Sequence, residues 1–398
     1  MKRTNRCGSR SSRRRMSERA SMDTLRMRGE WDVRIYDAWN GQIFDADVTR
    51  ENGDTYYSAV LHAQDSLLLR FIPAAGERHA SLAAHSAAKT PVTIPDEVDV
   101  TLSEPNVLLL DMAEYAFDGG AFQPREEILR LDNKFRDALG YPYRMEAFPQ
   151  PWCIHEQEGD APHTLTLRFR VRSEVDVDAV ELALEHPQDC EIRWNDKTVP
   201  NKTVGRYVDR DILRVKLGRL HAGENELIVS LPFSRKTDVE AMMLLGDFGV
   251  RVQGDEAIVT APVRRLHFAD WVMQGLPFYG GKVTYHIGVE GHGKPLNVAL
   301  TKFRAPVIAV DVDGKRQGLI AISPYSVTTE ALAPGLHQLD LTVYGNRFNT
   351  FGAVHNTDEE KDVYCSPNFW RTRGDTWAYE YQLKRTGPLC APVVEEEE

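Results

Sequence analysis

Short runs in which apolar and polar residues alternate recur along most of the chain. In residues 31–36 (WDVRIY) and 55–61 (TYYSAVL), a period of two places the apolar side chains on one face of a half-buried strand. Asn40-Gly41 and Asn52-Gly53 lie between such runs, and Asn-Gly readily adopts the positive φ angles of tight hairpins. The pattern predicts a mainly β fold that is built from antiparallel strands.

One stretch has helical periodicity instead. Pro124 suits the first turn of a helix, Gly140 suits its C-terminal end, and the apolar residues between them recur at intervals of three and four. We therefore predict a single helix over residues 124–139. The apolar face of this helix consists of Ile128, Leu131, Phe135 and Leu139.

The length of 398 residues exceeds what one hydrophobic core usually organises, so several domains are expected. Two sets of predicted strands follow the same order: a hairpin with an Asn or Asp turn, an inward-facing strand, a Gly turn, another strand and a Phe-Gly ending. This order predicts two tandem jelly-roll sandwiches. The predicted divisions are a disordered basic tail (1–28), a small β-sandwich module (29–92), a connecting segment with one helix (93–150), a first sandwich (151–260), a second sandwich (261–390) and an acidic tail (391–398).

The net charge of -11 conceals an asymmetry, because residues 1–20 contain eight basic side chains and one acidic side chain. The strongly acidic remainder repels phosphate backbones, which argues against a nucleic-acid partner. Because no run of about 18 apolar residues occurs, no membrane span is predicted. The five cysteines are odd in number and widely separated, which favours a reducing cytoplasm over a disulfide framework.

Motifs for metal, nucleotide and nucleophilic chemistry do not occur in a suitable setting. Asp311-Val312-Asp313-Gly314 begins like a calcium loop, but the later ligands are missing, and an Asp-Gly hairpin explains it better. The histidines, His355 among them, show no metal-ligand spacing and are interpreted as surface or strand residues. The sequence therefore predicts neither a metal nor a cofactor.

Residues 308–352 carry a family resemblance through Asp313-Gly314-Lys315, Gly318, Pro324-Tyr325, Leu332 and Gly335, with Asn346 and Asn349 near the end. This pattern resembles the galactose-binding-like, sugar-binding domain of glycoside hydrolase family two and of rhamnosidase-like enzymes. Residues 29–73 are similar to the β module that follows the catalytic barrel in the rhamnosidase-like group. The segment from Glu104 to Gly120 looks like the chain after that module.

In the enzymes that this chain resembles, the two catalytic carboxylates lie on a (β/α) barrel of roughly 200 or more residues. One predicted helix before an almost wholly β remainder does not provide such a barrel. The resemblance therefore implies a non-catalytic carbohydrate-binding or bracing region, either a fragment or a partner of a catalytic barrel on another chain. Two alternatives stay open: an intact hydrolase that uses carboxylates near Glu104 and Asp111, and a structural interaction module without a ligand.

Aromatic residues with polar neighbours are the candidates for sugar contact, because flat rings suit the apolar face of a pyranose and polar side chains bind its hydroxyls. The loop after residues 339–343 is expected at the sandwich rim. The predicted carbohydrate-binding residues are Asn346, Arg347, Asn349, Trp271 and Trp377.

Overall fold

The computed structural model of the chain describes residues 21–37, 41–61, 66–74, 89–143, 162–237, 239–357 and 372–397. Over these residues the protein is mainly β, as predicted, with two α-helices and several sheets of the β-sandwich class. In this part of the chain, no helix is both long enough and apolar enough to cross a bilayer.

The N-terminal module consists of two three-stranded sheets with the orders β1-β5-β4 and β3-β2-β6. Its strands are β1 Ser21–Arg28, β2 Trp31–Asp37, β3 Gln42–Asp45, β4 Val48–Glu51, β5 Asp54–Leu61 and β6 Leu69–Pro73. Asn52 and Gly53 join β4 to β5 with φ angles of 53° and 74°, so the predicted Asn-Gly hairpin at this position is confirmed. The other predicted turn includes Asn40, which lies outside the described residues.

Residues 21–28 differ from the predicted disordered tail because they form β1. This strand pairs with β5 over its whole length, from Ser21 opposite Leu61 to Arg28 opposite Asp54. Arg26 adds an ion pair with Asp54 at 2.6 Å. Backbone hydrogen bonds along an edge strand require no apolar alternation, so the basic composition of this segment concealed the strand. The rest of the predicted tail, residues 1–20, lies outside the described residues.

Two strands follow the module, β7 Lys89–Pro91 and β8 Glu97–Leu102. The chain then builds the first sandwich, which has a sheet in the order β11-β10-β12-β18-β14-β15, extended through β12 by β21 and β20, and a sheet in the order β16-β17-β13-β19-β9. Its strands are β9 Asn106–Leu110, β10 Met112–Phe117, β11 Gln123–Glu127, β12 His163–Ser173, β13 Val177–Glu185, β14 Glu191–Trp194, β15 Lys197–Val199, β16 Thr203–Tyr207, β17 Asp209–Leu220, β18 Gly223–Phe233, β19 Met242–Gly246, β20 Gly249–Gln253 and β21 Glu256–Thr260.

The predicted helix is present but shorter than expected. Helix α1 spans Ile128–Leu139, while Pro124 lies in β11. Glu127 caps the N-terminus, and Gly140 ends the helix in the left-handed region with a φ of 67°. Ile128, Leu131 and Phe135 are buried in the core of the first sandwich, as the periodicity predicted.

The second sandwich has sheets in the orders β22-β8-β23-β29-β26-β27 and β28-β24-β31-β7, with the short pair β25-β30 beside them. Its remaining elements are β22 Arg265–His267, β23 Lys282–Gly291, β24 Leu296–Ala299, β25 Phe303–Arg304, β26 Ile308–Val312, β27 Lys315–Ile320, β28 Ser326–Thr328, β29 Gly335–Tyr344, helix α2 Phe348–Phe351, β30 Gly387–Pro388 and β31 Val393–Glu397. Strands β7 and β8 therefore belong to this sandwich although they precede the first sandwich in the chain.

The predicted boundaries differ from the structure at two further places. Residues 93–150 were expected to connect domains, but β8 lies in the second sandwich and β9–β11 with α1 lie in the first. The predicted acidic tail contains β31, which pairs with β24 and β7 and places Glu397 3.3 Å from Lys89. The pairing of Glu397 with Lys89 joins residues 308 positions apart (397 − 89), so local composition could not reveal it.

The two sandwiches share one strand plan. In the first, β12 pairs with β18, β18 with β14, and β14 with β15; in the second, β23, β29, β26 and β27 pair in the same order. The closing hairpins turn at Asn195-Asp196 and at Asp313-Gly314, where all four residues have positive φ. Asp313 is thus a hairpin residue, as the sequence predicted.

Candidate ligand site between the sandwiches

The loop of Asn346, Arg347 and Asn349 lies at the junction of the two sandwiches rather than at a free rim. Arg347 forms a two-point ion pair with Glu104, in which Nη2 donates to Oε2 at 2.8 Å. Its Nη1 also donates to the hydroxyl of Tyr207 at 3.2 Å. The side chain of Arg347 is 32% exposed and that of Glu104 is 22% exposed, so water reaches this group only in part.

The side chains of Asn346 and Asn349 form hydrogen bonds with the backbone. Asn346 accepts a hydrogen bond from the N–H of Phe348 at 3.0 Å, which closes its own turn. Asn349 is buried and pairs with Lys384 through both of its amide groups, donating to the carbonyl at 2.8 Å and accepting from the N–H at 2.9 Å. These contacts are structural, and a role of this loop in sugar binding stays a prediction.

Trp271 is fully buried in the core of the second sandwich. Its indole N–H donates to the hydroxyl of Tyr285 at 2.7 Å, and burial raises the pKa of that tyrosine. Because the ring is enclosed by protein, it has no face for a ligand. The flanking polar residues suggested contact with sugar, whereas the structure places this tryptophan in the core.

Trp377 lines a cavity of about 270 Å³ between the two sandwiches. The first sandwich contributes one wall through β9, the β11–α1 junction, β13, β17 and β19. The opposite wall is chain from the second sandwich, residues 350–356 together with Trp377. The apolar part of the lining includes Leu109, Ile128, Leu184, Ile212, Met243 and Phe351, and the polar part includes Asp111, Glu127, Glu185, Glu240, His355 and Asn356.

The polar centre of the cavity is a buried cluster around Asp111. One carboxylate oxygen accepts a hydrogen bond from the hydroxyl of Tyr381 at 2.6 Å, and the other lies 3.1 Å from Nε2 of His355. Nδ1 of the same imidazole lies 3.0 Å from the carbonyl oxygen of Ala378. Both ring nitrogens of His355 therefore have protein partners, which leaves neither of them free to act as a base.

The prediction that His355 is a surface or strand residue was wrong, because only 6% of it is exposed. Burial opposes the charge of the imidazolium, but the hydrogen bond and the negative charge of Asp111 raise the pKa of His355. For Tyr381, in contrast, burial itself raises the pKa of the hydroxyl well above its usual value. Sequence spacing could not reveal this cluster, since its members come from separate sandwiches.

Glu127 is the second buried carboxylate of the cavity. Its two oxygens accept hydrogen bonds from the backbone N–H groups of Leu129 and Arg130, each at 3.0 Å. Burial raises the pKa of Glu127 to about 7, with the charge of Asp111 adding to the effect and the two N–H donors opposing it. A glutamate directly before an apolar helical pattern was the available signal for this cap, but the predicted helix start at Pro124 concealed it.

One face of the Trp377 ring is covered by the guanidinium of Arg130, which lies 4.4 Å from the ring centre. Tyr379 packs against the ring edge-on at 4.6 Å, and His355 lies 5.7 Å away. The chain from Trp377 to Leu383 was predicted as a strand, but it makes irregular contacts instead. For example, Gln382 donates to the carbonyl of Val354.

The alternative catalytic pair, Glu104 and Asp111, is not brought together. The two residues flank the extended strand β9, so the rise of a strand places them about 20 Å apart. Glycosidase carboxylates lie ~5–9.5 Å from each other. Glu104 binds Arg347, whereas Asp111 binds His355 and Tyr381.

The fold and this cavity define a β-sandwich chain with a candidate ligand site at a domain interface, which is a common location for such sites. No protein-family model matches the sequence, and no curated protein matches it. The similar solved structures include GH2 and rhamnosidase enzymes, which match about 60% of the chain.

A rhamnosidase from Novosphingobium sp. PP1Y is 18% identical over 61% of this chain and 23% of its own, with a TM-score of 0.23. A GH2 beta-galacturonidase from Eisenbergiella tayi bound to galacturonate is 7% identical over 60% and 37%, with a TM-score of 0.23. A beta-D-mannosidase from Dictyoglomus thermophilum is 12% identical over 63% and 32%, with a TM-score of 0.22. The chain thus spans between about a quarter and two fifths of the length of these proteins.

Proposed function

We propose that this chain is a non-catalytic carbohydrate-binding and bracing region of a glycoside hydrolase, and that a sugar ring binds in the cavity between the sandwiches. The observation that carries the proposal is the combination, in one cavity, of Trp377 with buried hydrogen-bonding groups. The sequence resemblance of residues 308–352 to galactose-binding-like domains supports the same ligand class.

The size of the cavity favours a small ligand. Sites for small molecules usually occupy ~300–1,000 Å³, so a cavity of about 270 Å³ suits one ring rather than an oligosaccharide. An apolar wall can cover the carbon face of the ring, while carboxylate and amide oxygens accept hydrogen bonds from its hydroxyls. Unpaired hydroxyls would be costly in such a buried site, which makes the polar groups the expected determinants of specificity.

The engagement of the carboxylates supports a non-catalytic role. Both oxygens of Asp111 and both oxygens of Glu127 already bind protein groups. A catalytic barrel on another chain is the protein partner that we propose. The junction formed by Arg347, Glu104 and Tyr207 supports the bracing part of the proposal, because it fixes the second sandwich against the first.

Calorimetric titration with a panel of monosaccharides tests the proposal. We expect at least one neutral hexose or deoxyhexose to bind, and Trp377→Ala to weaken its binding by roughly tenfold, which equals about 1.4 kcal/mol. Trp31→Ala is the matched control, because it removes a tryptophan of the N-terminal module that does not line the cavity. Absence of binding by every sugar, or equal effects of the two substitutions, would contradict the proposal.

Activity assays test the non-catalytic part separately. The purified chain is expected to release no aryl alcohol from aryl rhamnosides, galactosides or mannosides. Turnover that disappears in Glu127→Gln but persists in Glu191→Gln, an exposed carboxylate on β14, would show that the chain is itself a hydrolase.

A further inference from the structure

The contact between Asp111 and His355 requires a proton between the two side chains. The carbonyl oxygen of Ala378 can only accept, so Nδ1 of His355 must carry the hydrogen of that 3.0 Å bond. In the neutral ring, Nε2 is then an acceptor, and it lies 3.1 Å from a carboxylate oxygen, which is also an acceptor. Two acceptors attract each other only when a further proton lies between them.

This contact holds the chain of one sandwich on the other. Asp111 lies between β9 and β10 of the first sandwich, whereas His355 and Tyr381 come from chain beyond α2 of the second. The backbone N–H of Gln382 donates to the carbonyl of Val354 at 2.6 Å, so the segment that carries Tyr381 is hydrogen-bonded to the segment that carries His355. We call Asp111, His355 and Tyr381 the clasp.

Other charged groups surround the clasp. Glu127 ends β11 and caps α1, and its charge favours the imidazolium. Arg130 is paired with Glu126, and Arg125 with Asp255, so both cations are balanced locally. Tyr379 donates to Glu126.

Further charges lie on the strands beyond the clasp. Arg170 of β12 is paired with Glu226. Glu185 and Glu240 line the same cavity as His355. Asp111 and Tyr381 also line a second cavity, whose other charged residues include Arg172, Glu224 and Glu256. Asp111 and Glu127 are the two carboxylates whose negative charge raises the pKa of the imidazole, which favours its protonated form.

We infer that the clasp is a pH-operated latch, which holds residues 353–357 and 377–382 on the first sandwich in its protonated form and releases them as the pH rises. Because His355 and Trp377 line the cavity, release opens one of its walls. The latch concerns the chain itself and does not depend on the proposed ligand.

The direction of the pH effect follows from linkage. A group whose pKa is raised on folding stabilises the fold fully below its ordinary pKa, and this contribution is lost as the pH rises through the raised value. The pKa is raised for His355, and it is raised to about 7 for Glu127. His355 therefore weakens the closed latch as the pH rises through its raised pKa. The loss that Glu127 contributes falls earlier, between its ordinary pKa of 4.5 and about pH 7, and its ionised form favours the imidazolium above that range.

Hydrogen exchange of the full chain, corrected for the intrinsic effect of pH, tests the latch. Peptides over 353–357 and 377–382 should lose roughly tenfold or more of their protection between about pH 6 and about pH 9, while peptides from β12 and β18 keep theirs. Unchanged protection of the two segments over this range would overturn the inference.

The substitution Asp111→Asn tests whether the proton between Asp111 and His355 controls the latch. The amide oxygen of the new side chain can accept from Tyr381, and its amide N–H can donate to Nε2 of a neutral His355. The variant should therefore stay closed at alkaline pH. Asp118→Asn is the matched control, since it alters an exposed His–Asp pair of the same sandwich, and it should open like the wild type.

Imidazole ¹⁵N shifts of the unmutated chain provide a second measurement. His355 should remain protonated through its ordinary titration range around pH 6.5 and lose its proton only above it. Titration at or below that value would overturn the latch, as would an Asp111→Asn variant that folds but opens with the pH dependence of the wild type.

Discussion

Removal of the Arg347 side chain should weaken the junction between the sandwiches. Arg347→Ala deletes the two-point ion pair with Glu104 and the hydrogen bond to Tyr207. A hydrogen bond to a charged group contributes about 1.5–3 kcal/mol, and the carboxylate of Glu104 would remain partly buried without its cation. After a reduction for partial exposure, we expect the free energy of unfolding to fall by about 2–3 kcal/mol.

A double-mutant cycle in denaturant separates the pair from its surroundings. Glu104→Gln and Arg347→Ala should show a coupling energy of about 1–2 kcal/mol. Arg265→Ala is the control, because its pairs with Glu97 and Asp99 are solvent-exposed and should contribute less than about 0.5 kcal/mol. A loss of stability below about 0.5 kcal/mol for Arg347→Ala, with no coupling to Glu104, would refute the reasoning. Arg347 would then behave like an ordinary surface residue.

Three further predictions concern other parts of the chain. Deletion of residues 1–28 should lower the thermal midpoint of the N-terminal module because it removes β1, whereas deletion of 1–20 should not; equal midpoints in a calorimetric scan would contradict the role of β1. Burial raises the pKa of Cys190 to about 11, so peptide mapping after brief alkylation at neutral pH should show modification of Cys390 before Cys190, and the reverse order would be inconsistent with its burial. Trp271→Phe should destabilise the second sandwich by about 1–3 kcal/mol in urea unfolding, because it leaves the buried hydroxyl oxygen of Tyr285 without its indole donor; a neutral effect would argue against that hydrogen bond.

The fold class and many strands could be predicted from the sequence, because a buried sheet face imposes a period of two on the residues that build it. The Asn52-Gly53 and Asp313-Gly314 turns could also be predicted from the sequence, since few residue pairs tolerate two positive φ angles. The end of α1 at Gly140 belongs to the same group. These are local constraints, and they act on neighbouring residues.

The candidate site was largely hidden for the opposite reason. Asp111 meets His355 across 244 positions, and Glu104 meets Arg347 across 243. No local rule distinguishes a histidine that will be buried by a distant carboxylate from one that stays on the surface. Trp377, predicted to contact sugar, lines the cavity, and its role in binding stays a prediction, while Trp271, with similar neighbours in the sequence, belongs to the core.

The position of β7 and β8 before the first sandwich has a consequence for the order of folding. About 160 residues separate β8 from β22, its partner in the same sheet, and the backbone N–H of Val100 bonds to the carbonyl of Arg264 at 2.8 Å. The first sandwich is thus an insertion within the second, with entry and exit points that lie side by side. During synthesis the inserted domain can complete its core early, while β7 and β8 wait for strands that emerge much later. Folding of the outer domain is therefore expected to be the slow step, since closure of its sheet depends on contacts of high sequence separation.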